Sequence, residues 1–380
     1  MSPLSATAAP ALAPGHTAPG LDDVVAAETV LSHVDGAAGR LILRGHDLDV
    51  LADWRFEAVL ALLWRDLVPE PMDAAGIARA LGTAREEAFA IAAPLLAATD
   101  PLTPVEALRL MLAALADAAT TPHHVLAVAA VPVFAAAIAR RRRGAAPVAP
   151  DRTRGHAEDF LAMLGGDAPS PAAVAALDAY LVTVADHGLN ASTFAARVVA
   201  STRAGLFSSV VAGLCALKGP LHGGAPGPVL DMLDAIGTTA RIRPWLVDAL
   251  ARGERLMGFG HRIYRVRDPR ADVLKRAVAG LRDRGGRIAF AEAVEAEALA
   301  LLAQKKPLRP LATNVEFYTA LLLEAVGFPR DGFTNVFAAG RMAGWTAHVL
   351  EQERTGRLIR PQSRYVGPVP AARPVSRAPE

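Results

Sequence analysis

Apolar residues recur at spacings of three and four positions along most of the chain, which is the period of an amphipathic helix. Thr103–Glu106 has the spacing of a capping box with proline at the first helical position, and it precedes an apolar stripe at Leu108, Met111, Leu112 and Leu115. Ser170-Pro171 opens a second helix, with its stripe at Leu177, Leu181 and Val184. Alanine and leucine dominate, and both lose little side-chain entropy in a helix. The pattern predicts an all-α fold.

One short region departs from the helical period. Thr29 to Asp47 alternates polar and apolar residues, with Asp35-Gly36 and Gly39 placed to form turns. We expect a small β-hairpin here and no other strand. The sequence has no internal repeat and no heptad run long enough for a coiled coil.

Composition and charge narrow the class of protein. The 380 residues suggest two domains, or one large domain with a smaller one inserted. Hydrophobic residues make up 52% of the chain, which allows a large buried core. Lys+Arg 40 against Asp+Glu 38 leaves a net charge of +2, which argues against a nucleic-acid-binding protein. The single cysteine, Cys215, cannot form an internal disulfide and favours the cytoplasm.

The two ends of the chain differ in composition from the rest. Residues 1–20 are rich in Ala and Pro and lack a basic segment followed by an apolar run, so we expect a disordered leader rather than a signal peptide. Residues 361–380 are rich in proline, and we expect them to be extended. Apolar runs elsewhere are interrupted before about 18 residues, so we expect no membrane span.

A histidine lies in the glycine-rich loop Gly219–Pro226, just before a predicted helix. The positive end of that helix disfavours protonation, so a neutral His222 could donate an N–H to a developing enolate oxygen. An ordinary loop histidine explains the segment equally well.

Met257–Tyr264 repeats this arrangement of small residues followed by a histidine, His261. Asp268-Pro269-Arg270 then has the form of an N-cap, a first-turn proline and an arginine. The helix dipole disfavours a cation at that position by about 0.3–1 kcal/mol. Binding a carboxylate would explain Arg270, and the alternative is a surface arginine paired with Asp272.

Two further candidates have strong structural explanations. His187 continues the apolar stripe through Val184 and should point inward, where a lone histidine is more often a satisfied core residue. Glu316 completes the spacing Thr-x-x-Glu from Thr313, so the local pattern favours a capping box over a catalytic carboxylate.

Arg341 is predicted to lie on a helix among apolar or small neighbours three and four positions away. The nearest acid of that helix, Glu351, is too far along to pair with it. A bound anion is the best partner, and an acid from another helix is the alternative. The sequence has no phosphate-loop motif, no dinucleotide fingerprint and no Cys/His cluster with zinc spacing.

Together these segments resemble the citrate synthase family, and most closely its bacterial branch that includes 2-methylcitrate synthases. The most specific segments are Ala185–His187 with Asn190–Thr193, Gly219–Gly224, Gly258–Tyr264, Asn314–Tyr318, and Arg341 with Gly344-Trp345. The resemblance implies a helical homodimer with its active site between two domains. The large domain would comprise residues 21–223 and 324–367 and the small domain residues 224–323, with a tail at 368–380.

The resemblance also implies a role for each candidate residue. His222 polarises a thioester carbonyl and stabilises the enol, Glu316 removes the α-proton of acetyl-CoA, and His261 protonates the ketone oxygen of oxaloacetate. The oxo acid is held by His187, Asn190, Arg270 and Arg341, with Arg360 reaching into the partner subunit's site. Arg265 contacts the CoA phosphates. No cofactor is tightly bound and no metal is needed, since acyl-CoA is a substrate.

One position departs from the family pattern. The usual base is an aspartate, and this chain has Glu316, whose carboxylate must be set back by more than about 1 Å or adopt a folded rotamer. The resemblance implies a citrate synthase, with a 2-methylcitrate synthase using propionyl-CoA as the alternative. A catalytically silent paralogue that binds CoA or a dicarboxylate is a third hypothesis, kept open by Glu316.

Overall fold

A computed structural model describes residues 19–21, 24–222, 226–261, 263–264, 266–281, 287–305 and 311–368. Within these residues the chain is mostly helical, as predicted. The helices are α1 (Leu48–Leu51), α2 (Phe56–Trp64), α3 (Ala74–Leu95), α4 (Pro104–Ala113), α5 (His123–Arg142), α6 (His156–Gly165), α7 (Pro171–Val184), α8 (Ala191–Ala200), α9 (Leu206–Leu217), α10 (Pro226–Ile236), α11 (Ile242–Ala251), α12 (Pro269–Ala279), α13 (Arg287–Lys305), α14 (Val315–Ala325) and α15 (Phe333–Thr355). Residues 1–18 of the predicted leader lie outside the described residues. Residues 361–368 form neither helix nor strand, and residues 369–380 of the predicted tail lie outside the described residues.

The predicted hairpin is present and is extended by a third strand. Strand β1 (Ser32–Asp35) pairs antiparallel with β2 (Arg40–Leu43), and Gly39 adopts φ +65° at the turn between them. Strand β3 (His46–Asp47) pairs with the other edge of β2. The sequence prediction missed β3 because two residues are too short to show an alternating pattern.

The two predicted helix starts are confirmed. At the start of α4 the Thr103 backbone N–H donates to Glu106 Oε2 at 3.1 Å, as a capping box requires. At the start of α7 the Ser170 hydroxyl accepts a hydrogen bond from the backbone N–H of Ala173 at 3.3 Å.

Helices α5 and α15 lie at the centre of the fold. Helix α5 packs against α3, α4, α6 and α15, while α15 also contacts α7, α8 and α9. Among the described helices, only α5 is long and apolar enough to cross a membrane, and 83% of its apolar window is buried inside the protein. That burial is what a central core helix shows. Helices α12 and α14 pack on each other and on α7, which brings distant segments to one site.

Candidate active site

The loop between α7 and α8 provides the first side chain of the site. His187 is buried, as its position on the apolar stripe predicted, and its Nε2 lies 3.1 Å from the hydroxyl of Tyr264. Burial, and then the positive charges of Arg270 and Arg341, hold the pKa of His187 well below its usual value. His187 is therefore a neutral ring whose protonation is disfavoured by the charges of two guanidinium groups.

Asn190 lies at the other end of this loop and fixes its conformation. Its Oδ1 caps α8 by accepting from the backbone N–H groups of Ser192 and Thr193, both at 3.1 Å. The same oxygen lies 3.2 Å from His222 Nε2. Asn190 thus positions the loop beside His222 by capping α8, and its predicted contact with a substrate stays a prediction.

His222 follows α9 and is fixed by its ring nitrogen Nε2. That atom lies 2.8 Å from Ser192 Oγ and 3.3 Å from the Ser192 backbone nitrogen. Since a backbone N–H can only donate, this contact favours the tautomer with the ring proton on Nδ1. Trp345 supports the arrangement by donating its indole N–H to Ser192 Oγ at 3.2 Å.

The His222 ring is neutral, as the sequence suggested, and burial is the largest cause. Burial, and after it the charge of Arg341, lowers its pKa to about 4. We expected the N-terminus of the next helix to have this effect. Residues 223–225, between His222 and α10, lie outside the described residues.

Two backbone segments that are far apart in sequence are joined by hydrogen bonds. Phe259 and Thr313 form an isolated antiparallel bridge. The Asn314 backbone N–H donates to Gly258 O at 2.9 Å, and its side-chain amide donates to Gly260 O at 2.8 Å. Gly258 adopts φ +85°, and a Cβ there would approach Phe317 to 2.8 Å, so glycine is required for the close approach. This pairing brings the loop of His261 beside the start of α14.

The His261 ring and the Arg270 guanidinium group each direct one hydrogen-bond donor toward the other. His261 Nδ1 accepts from the backbone N–H groups of Ile263 and Tyr264, both at 3.0 Å. A neutral ring held in this way carries its proton on Nε2, which lies 3.0 Å from Arg270 Nη2. Burial and the charge of Arg270 lower the pKa of His261 to about 4, so the ring is neutral. An acceptor oxygen from a ligand would satisfy both donors.

Arg270 is held by Asp268 and not by the predicted alternative, Asp272. Its Nε and Nη2 donate to the two Asp268 carboxylate oxygens at 3.0 and 2.9 Å. Asp272 pairs with Arg267 instead. Asp268 is 1% exposed, caps α12, and accepts the backbone N–H of Val315 at 3.2 Å. It therefore links the start of α12 to that of α14, a role that the sequence analysis missed.

The predicted capping box at Glu316 is wrong. The N-cap of α14 is Asn314, whose side chain accepts from the Glu316 backbone N–H at 3.0 Å. The Thr313 hydroxyl donates to Glu295 of α13 at 2.6 Å. Within the part of the chain that the structure describes, no hydrogen bond engages the Glu316 carboxylate, so it is available for another task.

The surroundings of Glu316 suit a general base. Burial raises its pKa to about 7; Arg270 and Arg341 oppose this effect, while the charge of Asp268 adds to it. A carboxylate with a pKa near neutrality accepts a proton more readily than an ordinary one while remaining partly ionised at pH 7. The side chain is only half-buried, which leaves it accessible from the site.

Arg341 on α15 is a buried cation without an acidic partner among the described residues. It is 1% exposed, its Nε donates to Val184 O at 2.7 Å, and no carboxylate there forms an ion pair with it. Burial, with the charge of Arg270 acting in the same direction, lowers its pKa to about 10, while Asp186 opposes the shift. The group still carries its charge at pH 7. An anionic ligand would supply the missing partner.

Two predicted residues are not placed in the site. Arg360 is exposed on the C-terminal segment, and its proposed reach into a second subunit stays a prediction. Arg265 lies outside the described residues. Among the described residues no group of three or more His, Cys, Asp or Glu side chains could hold a metal ion. The site therefore combines neutral imidazoles, one carboxylate and two guanidinium groups.

Comparison with known proteins assigns this arrangement to a family. The family model described as "Citrate synthase, C-terminal domain" matches residues 20–362. The chain belongs to the citrate synthase family. A citrate synthase of Haloferax volcanii is 40% identical over 92% of this chain and 95% of its own length. A 2-methylcitrate synthase of Mycobacterium tuberculosis is 36% identical over 92% of this chain and 90% of its own.

Solved structures of citrate synthases have the same fold. That of Pyrobaculum aerophilum has a TM-score of 0.82 at 32% identity and covers 98% of both chains. That of Thermoplasma acidophilum, a ternary complex with carboxymethyl coenzyme A and oxaloacetate, has a TM-score of 0.83 at 26% identity, covering 94% of this chain and 98% of the other. This chain is accordingly a helical enzyme of the condensing acyltransferase type.

Proposed function

We propose that the chain is a citrate synthase that condenses acetyl-CoA with oxaloacetate and hydrolyses the resulting citryl thioester to citrate and CoA. The observation that supports this most strongly is the buried, unpaired Arg341 beside the facing donors of Arg270 and His261. Two guanidinium groups and a neutral imidazole N–H match a dicarboxylate with a ketone oxygen. The Thermoplasma acidophilum relative was solved with oxaloacetate and a CoA analogue.

The arrangement supports a three-residue mechanism. Glu316 takes a proton from the methyl carbon of the thioester, and the Nδ1–H of His222 stabilises the enol oxygen as the charge appears. The enol carbon then attacks the ketone carbon of oxaloacetate as the ketone π bond breaks. His261 Nε2 gives its proton to the ketone oxygen, and the proton that Glu316 removed restores the neutral His261 ring, so the net transfer is from the methyl carbon to the new hydroxyl group. Because both imidazoles are neutral, each can donate a hydrogen bond to a substrate oxygen without bringing a positive charge into the site.

Domain closure and a second subunit complete the active site around these residues. Residues 224–323 act as a small domain that closes over bound oxaloacetate and excludes water, which protects the thioester from wasteful hydrolysis. A homodimer brings Arg360 to the partner subunit's site, and Arg265 contacts the CoA phosphates. No cofactor is held tightly. With its single cysteine, the enzyme works in the cytoplasm.

Propionyl-CoA is the second candidate thioester, since a relative 36% identical to this chain is a 2-methylcitrate synthase. The two acyl groups differ by one methylene, which a pocket discriminates by about 1–3 kcal/mol. Thiol release should be measured with acetyl-, propionyl- and butyryl-CoA at saturating oxaloacetate. We expect the highest kcat/KM with acetyl-CoA. A higher value with propionyl-CoA would assign the chain to the 2-methylcitrate synthases instead.

Asp268→Asn tests the support of Arg270. The amide keeps the shape but loses the second acceptor and the charge, so kcat/KM for oxaloacetate should fall by about tenfold to a hundredfold. Because the Asp268 charge raises the pKa of Glu316, the acidic limb of the pH–rate profile should also move to lower pH. Steady-state kinetics between pH 5 and 9 measure both effects. An unchanged profile together with unchanged kcat/KM would rule out this role.

A further inference from the structure

A second buried carboxylate, that of Asp186, lies near Arg341 and forms no ion pair with it among the described residues. Asp186 precedes His187, is fully buried, and its charge acts on Arg341. Asp186 Oδ1 packs closely against α15 near Arg341. A Cβ placed on Gly344, one turn along the helix from Arg341, would lie 2.6 Å from this oxygen. Asp186 is therefore the natural ion-pair partner for Arg341, yet no such pair is formed within the described residues. Other hydrogen-bond partners must therefore hold the Asp186 carboxylate in an orientation that does not pair with Arg341.

Two donors bind the other oxygen of Asp186. Oδ2 accepts from the hydroxyl of Ser32 on β1 and lies 3.2 Å from Nε2 of His348 on α15. Ser32 is itself fixed, since its Oγ accepts the backbone N–H of Gly188 at 2.9 Å. The contacts of Oδ2 thus point toward the sheet and the C-terminal half of α15, whereas Oδ1 has no hydrogen bond among the described residues.

The orientation of His348 is set from its far side. Its Nδ1 lies 2.9 Å from Arg197 Nη1, which can only donate. Nδ1 therefore accepts, and the ring proton on Nε2 is directed at Asp186. Arg197 is 2% exposed and also donates to Gln352 Oε1 at 3.1 Å and pairs with Glu351. His348 is fully buried, so this donor–acceptor pattern is fixed by the surrounding structure.

We propose that His348 is a positioning residue that keeps Arg341 available for the oxo acid by holding Asp186 away from it. Arg341 and His348 are seven residues apart, two turns of the same helix, so α15 presents the substrate arginine and the group that protects it on one face. Without the His348 hydrogen bond, Asp186 turns toward Arg341 and competes with the substrate carboxylate. This inference rests on the proposed function, because it assigns oxaloacetate as the ligand of Arg341.

His348→Leu removes the donor and frees Asp186. KM for oxaloacetate should rise by about tenfold to a hundredfold, with a matching loss of the oxaloacetate-induced rise in melting temperature, while KM for acetyl-CoA changes little. Adding Asp186→Asn to this variant removes the competing charge and should recover most of the affinity. If His348 were only structural, Asp186→Asn would relieve the unpaired buried charge and restore the melting temperature without a selective recovery of KM for oxaloacetate.

Two further variants keep the test decisive if His348→Leu fails to fold. His348→Gln keeps both an N–H donor group and an acceptor oxygen in its side-chain amide and should stay within a few-fold of the wild type. Ser32→Ala removes the other donor to Asp186 at a half-buried position and should raise KM for oxaloacetate in the same direction. Unchanged oxaloacetate affinity in Ser32→Ala and His348→Leu, or no recovery in the double variant, would overturn the inference. A wild-type protein that does not respond to oxaloacetate would overturn the proposed function as well.

Discussion

Glu316→Gln is expected to lower the turnover of acetyl-CoA with oxaloacetate by about a hundredfold to ten-thousandfold, the contribution of a positioned general base. The amide has nearly the same shape and cannot accept the methyl proton. Because Asn314 caps α14, no capping bond is lost, and oxaloacetate should still raise the melting temperature. Steady-state thiol release and thermal unfolding of the same samples measure both effects.

Glu316→Asp is the matched control, since it keeps a carboxylate at the same position and shortens the side chain by one methylene. Its carboxylate lies about 1 Å further back on this backbone and should lose up to about a hundredfold in rate. The expected order of turnover is Glu316, then the aspartate variant, then the glutamine variant. A glutamine variant within about tenfold of the wild type would show that Glu316 is not the base.

The raised pKa of Glu316 also predicts a pH dependence with a definite sign. In the native state this pKa is about 7, against an ordinary value of 4.5, so between these values the folded protein binds a proton that the unfolded chain has lost. The carboxyl group of Glu316 therefore destabilises the folded protein increasingly as the pH rises through this window. Glu316→Gln should be more stable than the wild type at pH 8, and the difference should shrink toward pH 4.5. Urea unfolding at both pH values measures it, and a constant difference would contradict the assigned shift.

Arg341→Met is expected to remove oxaloacetate binding without unfolding the protein. The substitution takes away a charge-assisted partner of the substrate, so KM for oxaloacetate should rise by at least about a hundredfold and the ligand-induced thermal shift should disappear. Since no carboxylate among the described residues pairs with Arg341, its removal leaves no directly bonded acid behind, and the melting temperature without ligand should change little.

Arg85→Met is the matched control, because Arg85 is equally buried but paired. Its Nε donates to Asp159 at 2.6 Å, and both side chains are almost fully buried. Removing it leaves Asp159 uncompensated, at a cost of about 3–5 kcal/mol. The Arg85 variant should therefore be much less stable yet keep its thermal response to oxaloacetate. If both variants were destabilised alike and both bound oxaloacetate, Arg341 would be a structural residue.

Local sequence patterns predicted the features that depend on neighbours along the chain. The helix starts at Thr103 and Ser170 are confirmed, since a cap involves residues within one turn. Arg341 stood out because a cation among apolar neighbours with no acid in reach on its own helix needs an outside partner. These signals require no knowledge of the tertiary fold.

The errors arose where a long-range contact decided the outcome. Thr313 and Glu316 have capping-box spacing, but Glu295, eighteen positions earlier, takes the Thr313 hydroxyl and leaves the cap to Asn314. Asp268 was recognised as a cap, yet its hydrogen bond to Val315 depends on the bridge that joins two distant loops. No periodicity within one segment encodes such a pairing.

Thiol release from acetyl-CoA, measured with and without oxaloacetate in one enzyme preparation, tests the joint action of the two imidazoles and the carboxylate most directly. Glu316 and His222 have a productive task only when the arginine-lined pocket holds the acceptor ketone. With oxaloacetate we expect rapid, stoichiometric release of CoA and formation of citrate, and without it only slow release. Equal release in both reactions, or none in either, would contradict this expectation.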